Sequence, residues 1–457
     1  MKFLNIRLFK YFSITNYIIV LRYIYMTDRM GTIVGINNKP FNLPDMQQAQ
    51  EALNNAKEEF IKTVNDKSKW AALFLFAVSF FLIWVIIYYI YSKLSLESNN
   101  NKRMQAFYKS LGGSKLTEIT GCKNEKDCET GMHTNRLDGL RPKLRDFYVM
   151  SSYNTCCGGN TKKDWVSMKP LVEVISQGVR FLDFEVYSNG GKPIIAAGPE
   201  ANPDGKYCIK GTYNHLEFDE VMNKINNAAF TLPSNKNDPL FLNFRIKTNS
   251  KGVYDNMYES INNYFGGKGR INRLVSENLR FDGGKANDKS ISNVPLYELK
   301  GKVIICVNDV NHGYIGKKFA ELISISDKNK AGTGMPYINS YKNLQVKDAY
   351  DPQELITENK QYLGITYPDF TNSASNSSAA LHHKLGFQFV TMNFHIIDQH
   401  LKYYLTFFNN AGSAFVLKPE NLRYKRVTIN KPKEADKNLS FEPKEMSIMG
   451  GEGKLAL

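Results

Sequence analysis

A chain of 457 residues with 42% hydrophobic content is long enough for one large domain with appendages. Lys and Arg exceed Asp and Glu by 15, which favours contact with an anionic surface such as membrane headgroups, or else reflects a lysine-rich and asparagine-rich coding bias. No nucleic-acid recognition module is legible, so nucleic acid is not an expected partner.

Residues 1–25 are apolar but interrupted by Lys2, Arg7, Lys10 and Arg22, and the uncharged runs between them are too short to span a bilayer. They carry no small-residue cleavage site, which leaves an interfacial helix or an extension upstream of Met26. From Pro44 to Val64, the apolar residues Met46, Ala49, Leu53, Ala56 and Phe60 recur at helical spacing and predict an amphipathic helix. From Trp70 to Ser92 no charged residue occurs. At 1.5 Å per residue this run covers roughly 34 Å, enough to cross a hydrocarbon core as a single transmembrane helix. Trp70, Trp84, Tyr88, Tyr89 and Tyr91 add the aromatic residues that favour headgroup regions. Lysines flank the run on both sides, so charge does not set its orientation.

Residues 93–145 are polar and broken by Gly112, Gly113, Gly121 and Gly131, and read as a stalk. Within it, Cys122 and Cys128 bracket a charged tip. They suit a short disulfide loop or two metal ligands, but no second Cys/His pair completes a zinc site. From about residue 146 to 424 the pattern changes to short β-rich runs alternating with amphipathic segments. Strands are predicted at Gly178–Tyr187, Pro239–Arg245, Lys302–Val307, Val390–Phe394 and Ala414–Lys418.

Several of these runs carry a family likeness. Phe147-Tyr-Val-Met-Ser-Ser-Tyr-Asn-Thr155, Gly178 to Tyr187, Pro295 to Val303, Gly386-Phe-Gln-Phe-Val-Thr-Met-Asn-Phe394 and Asn410-Ala-Gly-Ser-Ala-Phe-Val-Leu-Lys-Pro419 stand in the right order over about 280 residues. Together they resemble the X and Y halves of the phosphoinositide phospholipase C family. The resemblance implies an α/β fold, a distorted TIM barrel whose working face lies at the C-terminal ends of the strands.

The family's chemistry needs two histidines, one to stabilise charge at the phosphorus and one to protonate the leaving oxygen. Aligned on the motifs, Tyr153 and Ala197 stand at those two positions. Alanine transfers no proton, and a phenol with an ordinary pKa near 10 is a poor acid-base group near neutrality. The resemblance further implies a calcium site built from an asparagine and three carboxylates. Asn154 matches the asparagine, Asp183 and Glu185 match two carboxylates on one strand face, and Arg245 replaces the third. Arg245 is expected to take the place of the metal and pair with Asp183 or Glu185. The two phosphate-binding lysines match Cys306 and Asn308, and the headgroup arginine matches Ile365, while the neighbouring aromatic survives as Tyr367.

Other side chains offer themselves as replacements. His215, His382, His383 and His395 are candidate acid-base residues, and Cys156 and Cys157 candidate nucleophiles, though no positioned base accompanies them. A disulfide from Cys156 or Cys157 to Cys208 would staple two mouth loops. Asn376 and Asn438 head acceptor sequons, relevant only in a lumenal setting. The expected organisation is an N-terminal segment (1–69), a transmembrane helix (70–92), a stalk (93–145), a phospholipase C-like barrel (146–424) and a polar tail (425–457). The expected function is a membrane-anchored pseudoenzyme, for example in a viral or organellar membrane, whose barrel binds lipid headgroups or serves as an interaction module. No cofactor is expected. The alternative is an active phosphodiesterase with a divergent site, which would need calcium.

Overall fold

The computed structural model describes residues 70–119, 142–198, 209–267, 271–281, 290–309, 312–327, 337–369 and 374–425, with scattered positions between 51 and 62 and two short tail strands. The segment 1–25, most of the helix expected from Pro44 to Val64, Cys122, Cys128, Cys208 and Asn438 lie outside the described residues. The chain divides into two units, Met1–Tyr89 and Ile90–Leu457.

Eight parallel strands close into a barrel. They are β1 (Phe147–Ser152), β2 (Phe181–Asn189), β5 (Leu240–Ile246), β6 (Val303–Asn308), β7 (Ile323–Asp327), β8 (Tyr337–Lys342), β9 (Leu363–Tyr367) and β10 (Phe389–Met392). Each pairs in parallel with the next, and β10 returns to β1 through Val149↔Phe389 to Ser152↔Met392. Closure removes free sheet edges from the cylinder. Outside it, β3 (Lys192–Ala196) folds back antiparallel on β2, β4 (Leu216–Glu217) pairs with β3, and β11 (Phe415–Leu417) runs antiparallel to β1. The five strands expected from sequence are present with ends shifted by up to three residues. Strands β7, β8 and β9 were not foreseen.

Strand period sets the inside and outside of this barrel. On β2, Phe181, Asp183 and Glu185 share one face, and on β5 so do Phe241, Asn243 and Arg245. Low in the barrel, Phe181, Phe241 and Phe389 form an aromatic layer, with ring centroids 4.6 Å apart for Phe181 and Phe389 and 5.4 Å for Phe241 and Phe389. Burying each such ring contributes roughly 1.5–3 kcal/mol. The opposite faces meet the outer helices: Phe244 packs against Phe184 and against Phe218 of α3 (Phe218–Ala229). The same alternation lifts Asp183, Glu185 and Arg245 above the aromatic layer, toward the C-terminal mouth.

The helix expected to end at Ser92 continues. α1 spans Trp70–Ser110 without a break, so the first part of the expected stalk is helix. Its initial stretch is exposed and apolar, and it is one helix long and apolar enough to cross a membrane, with a mean hydropathy of 2.6 over the best window. Beyond Lys93 the helix docks on the barrel wall, because Met104 and Tyr108 interrupt the polar pattern and bury at 1% and 2% exposure. The Tyr108 hydroxyl donates to the Phe394 carbonyl at 2.7 Å, and the Asn100 amide donates to Asp164 at 3.1 Å. After the helix, residues 114–119 cross the base of the barrel, where Thr117 N donates to Gly412 O and Ile119 N to Asp238 Oδ1. Gly178 lies under this crossing with φ of 84°, and a Cβ there would stand 2.8 Å from Leu116 Cδ1, so both its backbone and its lack of a side chain are required.

Of the remaining helices, α2 (Met168–Ser176) follows β1, and α7 (Ala379–Lys384) and α8 (Gln399–Ala411) flank β10. α8 begins where the Asp398 carboxylate accepts from Leu401 N and ends at Gly412 with φ of 66°, the usual pairing of an acidic N-cap with a left-handed C-terminal glycine.

Candidate functional site

Above the aromatic layer, three strand ends converge on one guanidinium. Arg245 Nε donates to Asp183 Oδ1 at 3.0 Å, Nη2 donates to Asp183 Oδ2 at 2.8 Å and to Asn154 Oδ1 at 2.6 Å, and Nη1 donates to Glu185 Oε1 at 2.7 Å and to the Tyr153 hydroxyl at 3.2 Å. A guanidinium has five N–H donors, and all five find acceptors here. The Tyr153 ring covers the guanidinium carbon at 4.3 Å, and the Tyr367 ring lies 5.4 Å from it, so cation–π contact adds to the ion pairs.

The local backbone explains how these groups meet. Asp183 and Glu185 sit two apart on β2 beside their register partners Asn243 and Arg245 on β5. Asn154 adopts φ of 43° just after β1, a conformation asparagine tolerates better than most residues, and this turns its backbone N–H onto Asp183 Oδ2 at 3.0 Å. The remaining carboxylate oxygens are also met. Asn243 Nδ2 donates to Asp183 Oδ1 at 2.7 Å, and Tyr187 OH and Gly198 N each donate to Glu185 Oε2 at 2.9 Å. Asn243 also donates to the Tyr367 hydroxyl at 3.0 Å. Side-chain exposure is 7% for Arg245, 0% for Asp183 and 2% for Glu185.

Burial opposes charge on Arg245, but Asp183, Tyr153 and Glu185 outweigh it and hold its pKa above the ordinary value. Burial pushes the Tyr153 phenol well up, and Arg245 only partly offsets this. Tyr153 is therefore a neutral hydroxyl across the physiological range, a donor or acceptor but no base.

The other sequence-derived positions scatter. Ala197 is fully buried beside Gly198, and its carbonyl accepts from Gly211 N and Thr212 N. Cys306 and Asn308 are the β6 register partners of Asn243 and Arg245. Cys306 is a free, buried thiol and Ile365 is 0% exposed in the core. His215 lies within 3.6 Å of Glu217 at the surface. His382, His383 and His395 are buried in the packing outside the barrel, His383 between Tyr148 and Phe407 with ring centroids at 4.5 and 4.6 Å. Asn376 is 7% exposed, and its amide donates to Asn393 O, Ile396 O and Asp398 Oδ1, which occupies the nitrogen a glycan would need. Asn243, Tyr187 and Gly198 were missed from sequence. Asn243 alone carried a signal, standing two residues before Arg245 on the same strand face.

Cys156 and Cys157 are free and buried, which corrects the expected staple to Cys208. Burial raises both thiol pKa values, so neither is a thiolate nucleophile at neutral pH. Both should resist a thiol-reactive dye in the native chain and react only on unfolding. Fast labelling of either under native conditions would refute that placement.

A narrow recess adjoins the cluster, lined by Asn154, Thr155, Cys156, Cys157 and Glu185 among others, and leaves essentially no room for a water-sized body, whereas small-molecule sites usually offer ~300–1,000 Å³. Among the described residues, no group of three or more His, Cys, Asp or Glu side chains is arranged to hold a metal ion.

Comparison with known proteins bears on the whole barrel. The sequence matches the family model for Phosphatidylinositol-specific phospholipase C, X domain, over residues 140–308, and that for the Y domain over residues 314–421, together more than half of the chain. No curated protein sequence matches it. Among solved structures, L. pealei PLC21 is similar at 20% identity and a TM-score of 0.50, covering 63% of this chain and 38% of that one. S. officinalis PLC21 is similar at 21% identity and a TM-score of 0.50, covering 63% of this chain and 39% of that one. These likenesses establish the barrel fold alone, and the chain spans well under half the length of either protein. With both halves matched in order on a closed eight-stranded parallel barrel, the chain belongs to the phosphatidylinositol-specific phospholipase C family.

Proposed function

We propose that this chain is a membrane-anchored, catalytically silent member of its family, whose barrel serves as a structural and interaction module. The observation that supports this reading above all others is the saturated guanidinium of Arg245. The family's metal would need the oxygens of Asn154, Asp183 and Glu185, and those oxygens are already engaged by Arg245. A divalent ion about 4 Å from the guanidinium would meet a repulsion of roughly 8 kcal/mol at an effective dielectric of 20. The residues present therefore do not fit calcium. With its donors spent, Arg245 also has none left for a lipid phosphate, which favours an interaction module over a headgroup pocket inside the barrel. At the two positions where the resemblance implies imidazoles, a neutral phenol and a methyl group stand instead. The apolar stretch of α1 supplies the anchor in this reading.

The direct test offers the full-length chain phosphatidylinositol in mixed vesicles, with and without calcium, and measures soluble inositol phosphate. No release above a protein-free blank is expected under either condition. Turnover that Tyr153→Phe abolishes would instead establish a divergent active enzyme.

A further inference from the structure

At the end of the barrel opposite the Arg245 cluster, two tyrosines meet where β8 and β9 begin. The parallel ladder of these strands pairs Ile338 with Leu363, and Tyr337 and Tyr362 each stand one residue before that pair. Neighbouring strands lie about 4.8 Å apart, and residues at one level point their side chains to the same face. The two rings are accordingly stacked, with centroids 5.1 Å apart and planes inclined by 23°, and their phenol groups interact with each other. Tyr362 is 41% exposed and Tyr337 is half-buried. The helix α6 (Pro352–Gln361) leads directly into Tyr362. Its Glu358 carboxylate accepts from the Tyr341 hydroxyl of β8 at 2.7 Å, which holds the helix end and the strand together.

Among the described residues one other pair of tyrosine rings is in contact. Tyr153 and Tyr367 have centroids 5.9 Å apart but are tilted by 58°, and they enclose Arg245, with Tyr367 only 4% exposed. Tyr350 is fully exposed, with no ring contact among the described residues. The pair at the strand starts thus combines stacking with access from solvent. The unpaired spin of a phenoxyl radical concentrates on its oxygen and on the ring carbons beside that oxygen. A stack that brings two phenol groups together therefore brings those carbons together too.

We propose that Tyr337 and Tyr362 are an oxidative cross-linking site, which a haem peroxidase supplied with hydrogen peroxide converts to an intramolecular dityrosine. Each phenol gives one electron to the oxidised haem and one proton to water, and the two radicals join through an ortho carbon of each ring. The hydrogens on those carbons then move to the oxygens and restore both phenols. Two hydrogen atoms leave the protein in all, and they reduce one hydrogen peroxide to two waters. The new bond clamps the start of β8 to the start of β9, and a covalent tie that closes the chain between them restricts the unfolded state more than the folded one. The site shares no residue with the Arg245 cluster and rests on neither the silent barrel nor the membrane anchor.

The full-length chain in detergent micelles, dilute enough to stay monomeric, is treated with haem peroxidase and a stoichiometric amount of hydrogen peroxide. Blue dityrosine fluorescence is expected in the monomer, its mass should fall by two hydrogens, and proteolysis should release a linked peptide pair containing Tyr337 and Tyr362. Tyr337→Phe and Tyr362→Phe keep the stacked rings, yet each should abolish that peptide pair, whereas Tyr350→Phe should leave it unchanged. The linked monomer should also unfold at a higher urea concentration than Tyr362→Phe treated identically. Dityrosine that forms only between chains, that maps to other tyrosines, or that fails to form would overturn the site. A linked monomer with the same urea midpoint as the treated variant would overturn the clamp.

Discussion

Replacing Arg245 by alanine is expected to lower stability by about 3–5 kcal/mol, because it leaves Asp183 and Glu185 buried without their counter-ion. That is a large part of the 5–15 kcal/mol typical of a folded domain, so the urea midpoint should fall sharply or the barrel fail to accumulate. Arg245→Glu is the more informative change. It places a third carboxylate beside Asp183, Glu185 and the Asn154 carbonyl, an all-oxygen set suited to a hard divalent cation. The variant should be less stable than Arg245→Ala in chelator, and millimolar calcium should raise its melting temperature. Binding at a hundredfold excess over Kd would return about 2.7 kcal/mol. The unmodified chain should show no calcium-dependent shift, and one of that size would defeat the proposal that Arg245 has taken the metal's place. Even calcium-loaded, Arg245→Glu should release no inositol phosphate, since positions 153 and 197 still lack imidazoles.

Acidification should destabilise the barrel between pH 6.5 and pH 4, a loss that begins above the range where most carboxylates titrate. Burial lowers the pKa of His382 to about 4 and those of His383 and His395 to about 3. The nitrogens of His382, and single nitrogens of His383 and His395, have no hydrogen-bond partner, so protonation gains nothing locally. A folded-state pKa below the unfolded 6.5 means the unfolded chain binds the extra protons, and stability falls as pH drops through that window. A shift from 6.5 to about 4 is worth roughly 3 kcal/mol per group. Two groups act in the opposite sense. Burial raises Asp238 and Asp327 to about 6, so they favour folding as pH falls below 6 and offset roughly half of the histidine effect. A net loss of several kcal/mol remains, to be read as the urea midpoint at pH 7 against pH 4.5. His383→Phe should shrink the difference, because the phenyl ring fits between Tyr148 and Phe407 without a titrating nitrogen. A midpoint that stays flat over this range would contradict the placement of the histidines.

Much of the barrel was legible because its longest strands announce themselves locally. The alternation Phe181-x-Asp183-x-Glu185 and Phe241-x-Asn243-x-Arg245 shows that each set shares a face, whatever the fold. The missed strands are the ones with weak patterns: Ile323–Asp327 and Tyr337–Lys342 mix serine, asparagine and lysine into the run, and Leu363–Tyr367 holds a glycine. Their conformation is imposed by neighbours on both sides, a non-local cause that no short window contains. The misread stalk has the same origin. Residues 93–110 look like linker because most are polar, and only the barrel wall gives Met104 and Tyr108 something to bury against.

What the chain's own pattern determined is the inventory: an uncharged run from Trp70 to Ser92, a set of inward strand faces, and a phenol, a methyl group and an arginine at positions where the resemblance implies imidazoles and a carboxylate. The pairing of Arg245 with Asp183 or Glu185 was expected from the sequence, and tertiary structure alone decided that it pairs with both and that Asn154 and Tyr153 join them and use up all its donors. It also decided that Cys156 and Cys157 stay unpaired, and that the backbone of Lys93, just past the uncharged run, is bonded by the Trp165 indole. The reason is geometric. Residue spacing fixes which side chains share a face, but only closure of the cylinder, through pairings as distant as β1 with β10, fixes which faces meet and at what distance.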